Sequence, residues 1–194
     1  VASYIHSQGF SNLKPSGICG TGLISAVAEF CRNAIIEPSG VFGKNTNIQS
    51  FDKDASGKLE YILVPKDSAA NGSALFISQK DIRSVQLGKA ALITGIEFLL
   101  REACLDKPEK IIVAGAFGSY LNKKDMLTLG MIPRMDPDNV EVAGNSAGSG
   151  AIMVLCDNTY LEKAIQMANQ ITVVDLACNQ DFQEVFIQKL NFPI

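Results

Sequence analysis

Residues 111–119 read Ile111-Ile112-Val113-Ala114-Gly115-Ala116-Phe117-Gly118-Ser119. The opening run is apolar and mostly β-branched, the pattern of a buried strand. Gly115 and Gly118 then bracket Ala116-Phe117, so the chain can turn sharply and bring backbone close to a flat or phosphorylated group. A strand that ends in a small-residue turn, amid alternating strand and helix patterns, marks the place where an open α/β sheet binds its ligand. The same turn could also be a turn and nothing more, so the neighbouring stretches carry weight.

The closest counterpart lies near the N-terminus. Gly17-Ile18-Cys19-Gly20-Thr21-Gly22 precedes Leu23, Val27 and Phe30, which recur at helical spacing. The glycine loop therefore opens a helix, whose free N–H groups and dipole, with the Thr21 hydroxyl, suit an anion. A plain helix start is the alternative. The spacing is not that of a G-x-x-x-x-G-K-[ST] loop, which excludes that class of phosphate binder.

The next turn-rich region runs from 37 to 77, with Leu59 to Val64 and Leu75 to Ile77 reading as short strands of an antiparallel excursion from the main sheet. Asp52-Lys53-Asp54-Ala55-Ser56-Gly57 imitates the start of a calcium loop, but Leu63 stands where a bidentate Glu is needed, so a hairpin turn is expected. Ser78-Gln79-Lys80-Asp81 has capping-box spacing and launches the longest helix, to about Cys104. Ile82, Val85, Leu92, Ile93, Ile96, Leu99 and Leu100 form its expected apolar stripe. Lys89 falls in the middle of that stripe, with Gln86 one turn before it. A lysine there either snorkels from the core edge or reaches into a ligand cleft.

Beyond residue 119 the sequence predicts a short helix from Asp125 to Leu129 and a strand at Val140-Glu141-Val142. Gly144-Asn145-Ser146-Ala147-Gly148-Ser149-Gly150-Ala151 is a small-residue run suited to a helix at a hinge or domain interface. A helix over Tyr160–Gln170, a strand over Ile171–Leu176 and a closing helix over Asp181–Leu190 complete an α/β layered pattern. Val1 to Ile5 reads as the end of a strand, and His6, alone in a polar loop, is assigned no role.

Composition narrows the classes. The 194 residues are 47% hydrophobic and 19% charged with a net charge of −3, a globular composition with no basic run for nucleic acid or an anionic membrane. Cys19, Cys31, Cys104, Cys156 and Cys178 are scattered, without a C-x-x-C pair, which argues against a disulfide framework or a zinc knuckle. A reducing cytoplasm is the expected compartment, Cys19 is expected to be buried as a small apolar residue, and no run reaches the ~18 apolar residues of a membrane helix. The chain begins at Val1 without an initiator Met and is expected to be a piece of a longer protein.

Taken in order, Gly17–Ile24, Ser78–Ile82, Leu87-Gly88-Lys89-Ala90-Ala91, Ala114–Tyr120, Gly144–Ala151 and the ending from Asp181-Phe182 to Phe192-Pro193 resemble the reductive activators of corrinoid proteins, members of the actin-like ATPase superfamily. The resemblance covers nearly the whole chain. It implies an actin-like (ribonuclease H-like) α/β fold, a mixed sheet flanked by helices, with residues 1–194 as one domain forming the C-terminal half of the ATPase module. Gly115, Ala116, Phe117 and Gly118 match the adenosine motif, with Ala116 replacing a superfamily glycine; Gly20, Thr21 and Gly22 match a phosphate-contacting loop. Lys89 and Gln86 match the helix that flanks the adenosine, and Gly144 to Ala151 the second connecting helix of the hinge.

The superfamily's two Asp-Gly phosphate motifs, and the cysteine cluster of an iron–sulfur domain, are not in this sequence. The implied cofactors, ATP with Mg²⁺ and an iron–sulfur cluster, would thus be shared with or held by a further part of the protein. This chain alone is expected to bind nucleotide weakly and not to hydrolyse it; no catalytic residue and no metal ligand is assigned. The implied partners are nucleotide and the corrinoid protein of a methyltransferase system, whose Co(II) is restored to Co(I), with homodimer formation left open. Two alternatives stand beside it: an activator of a dehydratase or reductase in which Cys19 ligates a cluster shared across a dimer, and a nucleotide-free module that docks a corrinoid protein.

Overall fold

The computed structural model describes residues 13–43, 50–176, 179 and 181–194. The expectations for Val1–Ile5, His6 and Cys178 lie outside the described residues. Helix α1 (Gly20–Arg32) is followed by β1 (Phe51–Lys53), β2 (Leu59–Val64), β3 (Leu75–Ser78) and the long α2 (Gln79–Glu102). The second half continues through β4 (Ile111–Ala114), α3 (Lys123–Leu129), β5 (Val140–Gly144), α4 (Ser146–Cys156), α5 (Thr159–Ala168) and α6 (Phe182–Gln188).

The expected mixed sheet is present as two small sheets. β1, β2 and β3 pair antiparallel in that order, and β4 pairs parallel with β5. Asp54 makes the β1–β2 turn: its Oδ1 accepts from the Ser56 and Lys58 amides at 2.8 Å each. The antiparallel strands form a sheet of their own, apart from the β4–β5 pair. Phe51, Tyr61 and Leu63 pack against the same core that α1 and α2 build, and Phe30 of α1 lies 4.6 Å from Tyr61, ring to ring.

That core is made by amphipathic faces closing on one another. α1 contributes Ile24, Val27, Ala28, Phe30 and Cys31, α2 contributes Ile82 and Val85, and α3 contributes Met126 and Leu129. Each fully buried aliphatic side chain among these stabilises the fold by about 1.5–3 kcal/mol. α1 is also tied to α3 by charge, since Arg32 bridges the buried Asp125 at 2.5 Å and reaches Thr128 at 3.1 Å.

The Ser78–Asp81 capping box forms as the spacing predicts: the Asp81 amide donates to Ser78 Oγ at 3.3 Å, and the Ser78 amide to Asp81 Oδ2 at 2.9 Å. The buried stripe of α2 is Ile82, Val85, Gln86, Lys89, Ala90, Ile93, Thr94 and Phe98. Leu92 and Leu99, expected inside, are exposed. The stripe bends toward Phe98, which packs on Phe182 of α6 with ring centroids 5.7 Å apart.

Two further expectations change. β4 is buried on one side only: Ile111 and Val113 face the core while Ile112 is 60% exposed, because no described element covers the outer face of the two-stranded sheet. Ile171–Leu176 forms no strand, since no described strand edge pairs with it and Ile171 and Val173 are exposed. The small-residue run does form helix α4, capped by Asn145, but none of its residues is buried. No described helix is long and apolar enough to cross a membrane.

Candidate functional site

The two glycine stretches singled out from sequence meet in space. The N-terminus of α1 and the turn after β4 together line a pocket of about 380 Å³ formed by Cys19, Gly20, Thr21, Phe117 and Tyr120. Contact is direct, because a Cβ built on Gly20 would lie 2.9 Å from Cε2 of Phe117.

Each wall follows from its local sequence. Cys19 is the N-cap of α1, with its Sγ accepting from the Gly22 amide at 3.4 Å and lying 3.3 Å from Thr21 Oγ1. These bonds, the Thr21 hydroxyl first and the Gly22 N–H second, hold the Cys19 thiol below its ordinary pKa. The thiol is exposed. The expectation that Cys19 is buried as a small apolar residue is therefore corrected: a capping position at a helix start points the sulfur at the N–H groups, not at the core.

On the other wall the chain leaves β4 through Gly115, whose amide donates to Gly144 O at 2.8 Å and ties the turn to the end of β5. Ser119 closes the turn by donating from Oγ to Gly115 O at 2.8 Å. Gly118 is buried, and a Cβ there would come within 2.7 Å of Val113 Cγ1, so only glycine lets the turn fold back on its own strand. A short 3₁₀ turn, Gly118–Tyr120, follows. Phe117 and Tyr120 are three residues apart across it and share a side. Both are well exposed, Phe117 at 54% and Tyr120 at 79%.

Of the residues expected from sequence, Gly20, Thr21 and Phe117 line the pocket, while Gly22 in the first turn of α1 and Gly115, Ala116 and Gly118 in the turn after β4 are not among its lining residues. Gln86 and Lys89 are not brought to it. Gln86 Nε2 donates to Ser39 O at 3.1 Å and Leu190 O at 3.0 Å, and its Oε1 accepts from Arg83 at 2.8 Å. Lys89 Nζ donates to Asn191 O at 2.5 Å and lies 5.6 Å from the centre of the Phe192 ring. Both side chains anchor the C-terminal segment to α2. Tyr120 was not singled out as a site residue, although its spacing from Phe117 on a tight turn is a signal that could have found it.

The pocket is open, aromatic on one side and lined by hydroxyl, thiol and helix-terminal N–H groups on the other. That combination suits a flat ring with a polar or anionic substituent. Among the described residues no group of three His, Cys, Asp or Glu side chains is placed to hold a metal ion.

Residues 3–194 match the family model described as the C-terminal domain of RACo, the ASKHA domain. The chain belongs to the RACo C-terminal ASKHA family. The corrinoid activation enzyme RamQ of Eubacterium limosum is 29% identical over 186 residues, which are 92% of this chain and 31% of that protein. The [Co(II) methylated amine-specific corrinoid protein] reductase of Methanosarcina barkeri is 26% identical over 180 residues, 91% of this chain and 29% of that protein. Among solved structures, a reductive activator for corrinoid, iron–sulfur protein superposes with a TM-score of 0.84 at 30% identity, covering 93% of this chain and 29% of that one. The chain is thus similar to corrinoid reductive activators over under a third of their length, and its fold is that of an ASKHA domain.

Proposed function

We propose that this ASKHA segment forms the adenosine wall of the nucleotide cleft in an ATP-dependent activator that returns the Co(II) corrinoid of a methyltransferase system to Co(I). The observation that carries the reading is the meeting of Gly20-Thr21 with Phe117 and Tyr120 in one pocket. Phe117 and Tyr120 offer faces for a purine, and the start of α1 offers N–H groups and a dipole toward its phosphates.

The segment fits part of one implied cofactor, the nucleotide, and none of the other, the iron–sulfur cluster. Its pocket suits a nucleoside with phosphates, whereas no carboxylate is among the residues that line it to help hold Mg²⁺. Cys19, Cys31, Cys104 and Cys156 are not gathered for an iron–sulfur cluster either. Metal, cluster and the electron for cobalt come, on this reading, from the remainder of the protein. Cobalt takes up one electron, and nucleotide acts by closing two lobes and changing affinity for the corrinoid partner.

The outer face of the parallel sheet, with Ile112 and Val142 exposed, and helix α4, with Ile152, Met153 and Leu155 exposed, supports the presence of another lobe. The names of the relatives favour a corrinoid protein as partner over a dehydratase.

Calorimetric titration of Mg-ATP and Mg-ADP into the complete protein, beside Phe117→Ala and Gly20→Ala, tests this. Loss of a stacked ring, or its displacement by the new methyl, should weaken nucleotide about tenfold or more. Wild-type affinity in both variants would remove the pocket from the nucleotide cleft.

A further inference from the structure

A second cavity lies apart from the Phe117 pocket. It occupies about 510 Å³ between α2, the end of α3 and the C-terminal segment, and its charged lining is Lys89, Glu97, Asp106, Arg134 and Lys189. Lys89 is 3% exposed. A lysine so far from water is costly unless an opposite charge stands beside it.

No carboxylate among the described residues is within ion-pair distance of Lys89. Glu97, on the same face of α2, is already paired with Lys189. The ammonium has three N–H donors, and one carbonyl, Asn191 O, accepts from it. The Phe192 ring face adds a weaker attraction. Arg134 is exposed at the same cavity and has no ion pair among the described residues. Asp106, also on the lining, works against a second negative charge and so limits what fits. Cys31 and Lys189 are the other titratable groups felt by Lys89, and neither supplies a fixed negative charge.

We propose that this cavity is a binding site for a small singly charged oxyanion, a carboxylate or a phosphate, held by Lys89 from within and Arg134 at the mouth. The buried cation that the fold leaves without a carboxylate would then receive its counter-charge from the ligand. The site is separate from the nucleotide reading above and does not rest on it.

The test uses the complete protein, with inorganic phosphate and acetate as probes, followed by calorimetry at constant ionic strength in a chloride background. Saturable one-site binding of at least one probe is expected. The choice between them tells a tetrahedral ligand from a planar one. Arg134→Ala, on the surface and safe for folding, should weaken it about fivefold, and Lys89→Met about tenfold or more. In the wild type, the Lys89 amine followed by NMR should also titrate at higher pH when the probe is bound, a readout independent of the variants. No saturation at tens of millimolar by folded wild-type protein would overturn the proposal. So would equal affinity in Arg134→Ala with no movement of the Lys89 titration. Displacement of the probe by ADP would overturn it too, because the anion would then occupy the nucleotide's own phosphate position.

Discussion

Replacing Lys89 by Met should make the folded state more stable near neutral pH, although it deletes a hydrogen bond. Burial, then repulsion from Lys189, pushes the Lys89 amine down from 10.5 to about 8. At about 1.4 kcal/mol per tenfold change, that difference corresponds to about 3 kcal/mol of penalty on the charged form. Below pH 8 both folded and unfolded chains hold the proton, so the penalty is present in full. Between pH 8 and 10.5 the unfolded chain holds more protons than the folded one, so unfolding free energy rises with pH. Above 10.5 the penalty is gone.

Against this stand the bond to Asn191 O and the contact with the Phe192 ring, together worth about 2 kcal/mol. Met is flexible, apolar and similar in length, so it can fill the space. The net expectation is a gain of about 1 kcal/mol at pH 7, or about 2–4 °C in Tm for a chain of this size. Urea unfolding of both proteins from pH 7 to 10.5 reads the difference directly, and titrations of groups that do not feel Lys89 cancel. The advantage of the variant should shrink and then reverse as pH rises. A difference that stays constant over that range would refute the assignment of a buried, poorly compensated charge.

Gly40 has φ +79°, and a Cβ there would lie 2.5 Å from Gln86 Oε1, so Gly40→Ala should lose about 2 kcal/mol or more in denaturant unfolding. The Thr94 hydroxyl is buried without a hydrogen-bond partner, so Thr94→Val should be neutral or stabilise by up to about 1 kcal/mol in the same assay. With its thiol held below the ordinary pKa, Cys19 should react with iodoacetamide at pH 7 before the exposed Cys104 and Cys156. Mg-ADP should slow that alkylation, read by peptide mass spectrometry; equal rates with and without nucleotide would separate Cys19 from the cleft.

Local chemistry was legible wherever partners are close in sequence. The Ser78–Asp81 box, the Asp54 turn and the helix after Gly20 each depend on residues within one turn of each other, and each is found where the spacing puts it. The inward direction of Lys89 was also readable, since helical period alone decides it. Its destination was not, because the accepting carbonyl belongs to Asn191, 102 residues away. The same limit hid the burial of Asp125, whose guanidinium partner Arg32 lies 93 residues earlier. Apolar content misled where it signals a surface to be covered by something outside the described chain. Ile112 in β4 and the Ile171–Leu176 run look like interior strands by composition, yet burial requires a neighbour that this segment does not supply. The pocket was half legible: both glycine stretches stood out, while their meeting through Gly20 and Phe117 is a property of packing.

The C-terminal anchor has a consequence for synthesis. Gln86 and Lys89 hold Leu190 O and Asn191 O, and the Phe192 amide donates to Pro38 O at 2.8 Å. Until residues 190–192 have been made and released from the ribosome, the interior face of α2 carries a buried amide and a buried ammonium without these acceptors, and Phe192 leaves its place in the core empty. Domains can fold as they emerge only when their contacts are already on the nascent chain. Here the contacts of residues 190–192 are central ones, so this segment closes its core only after elongation past Phe192, and a ribosome stalled shortly before that point would hold an open chain.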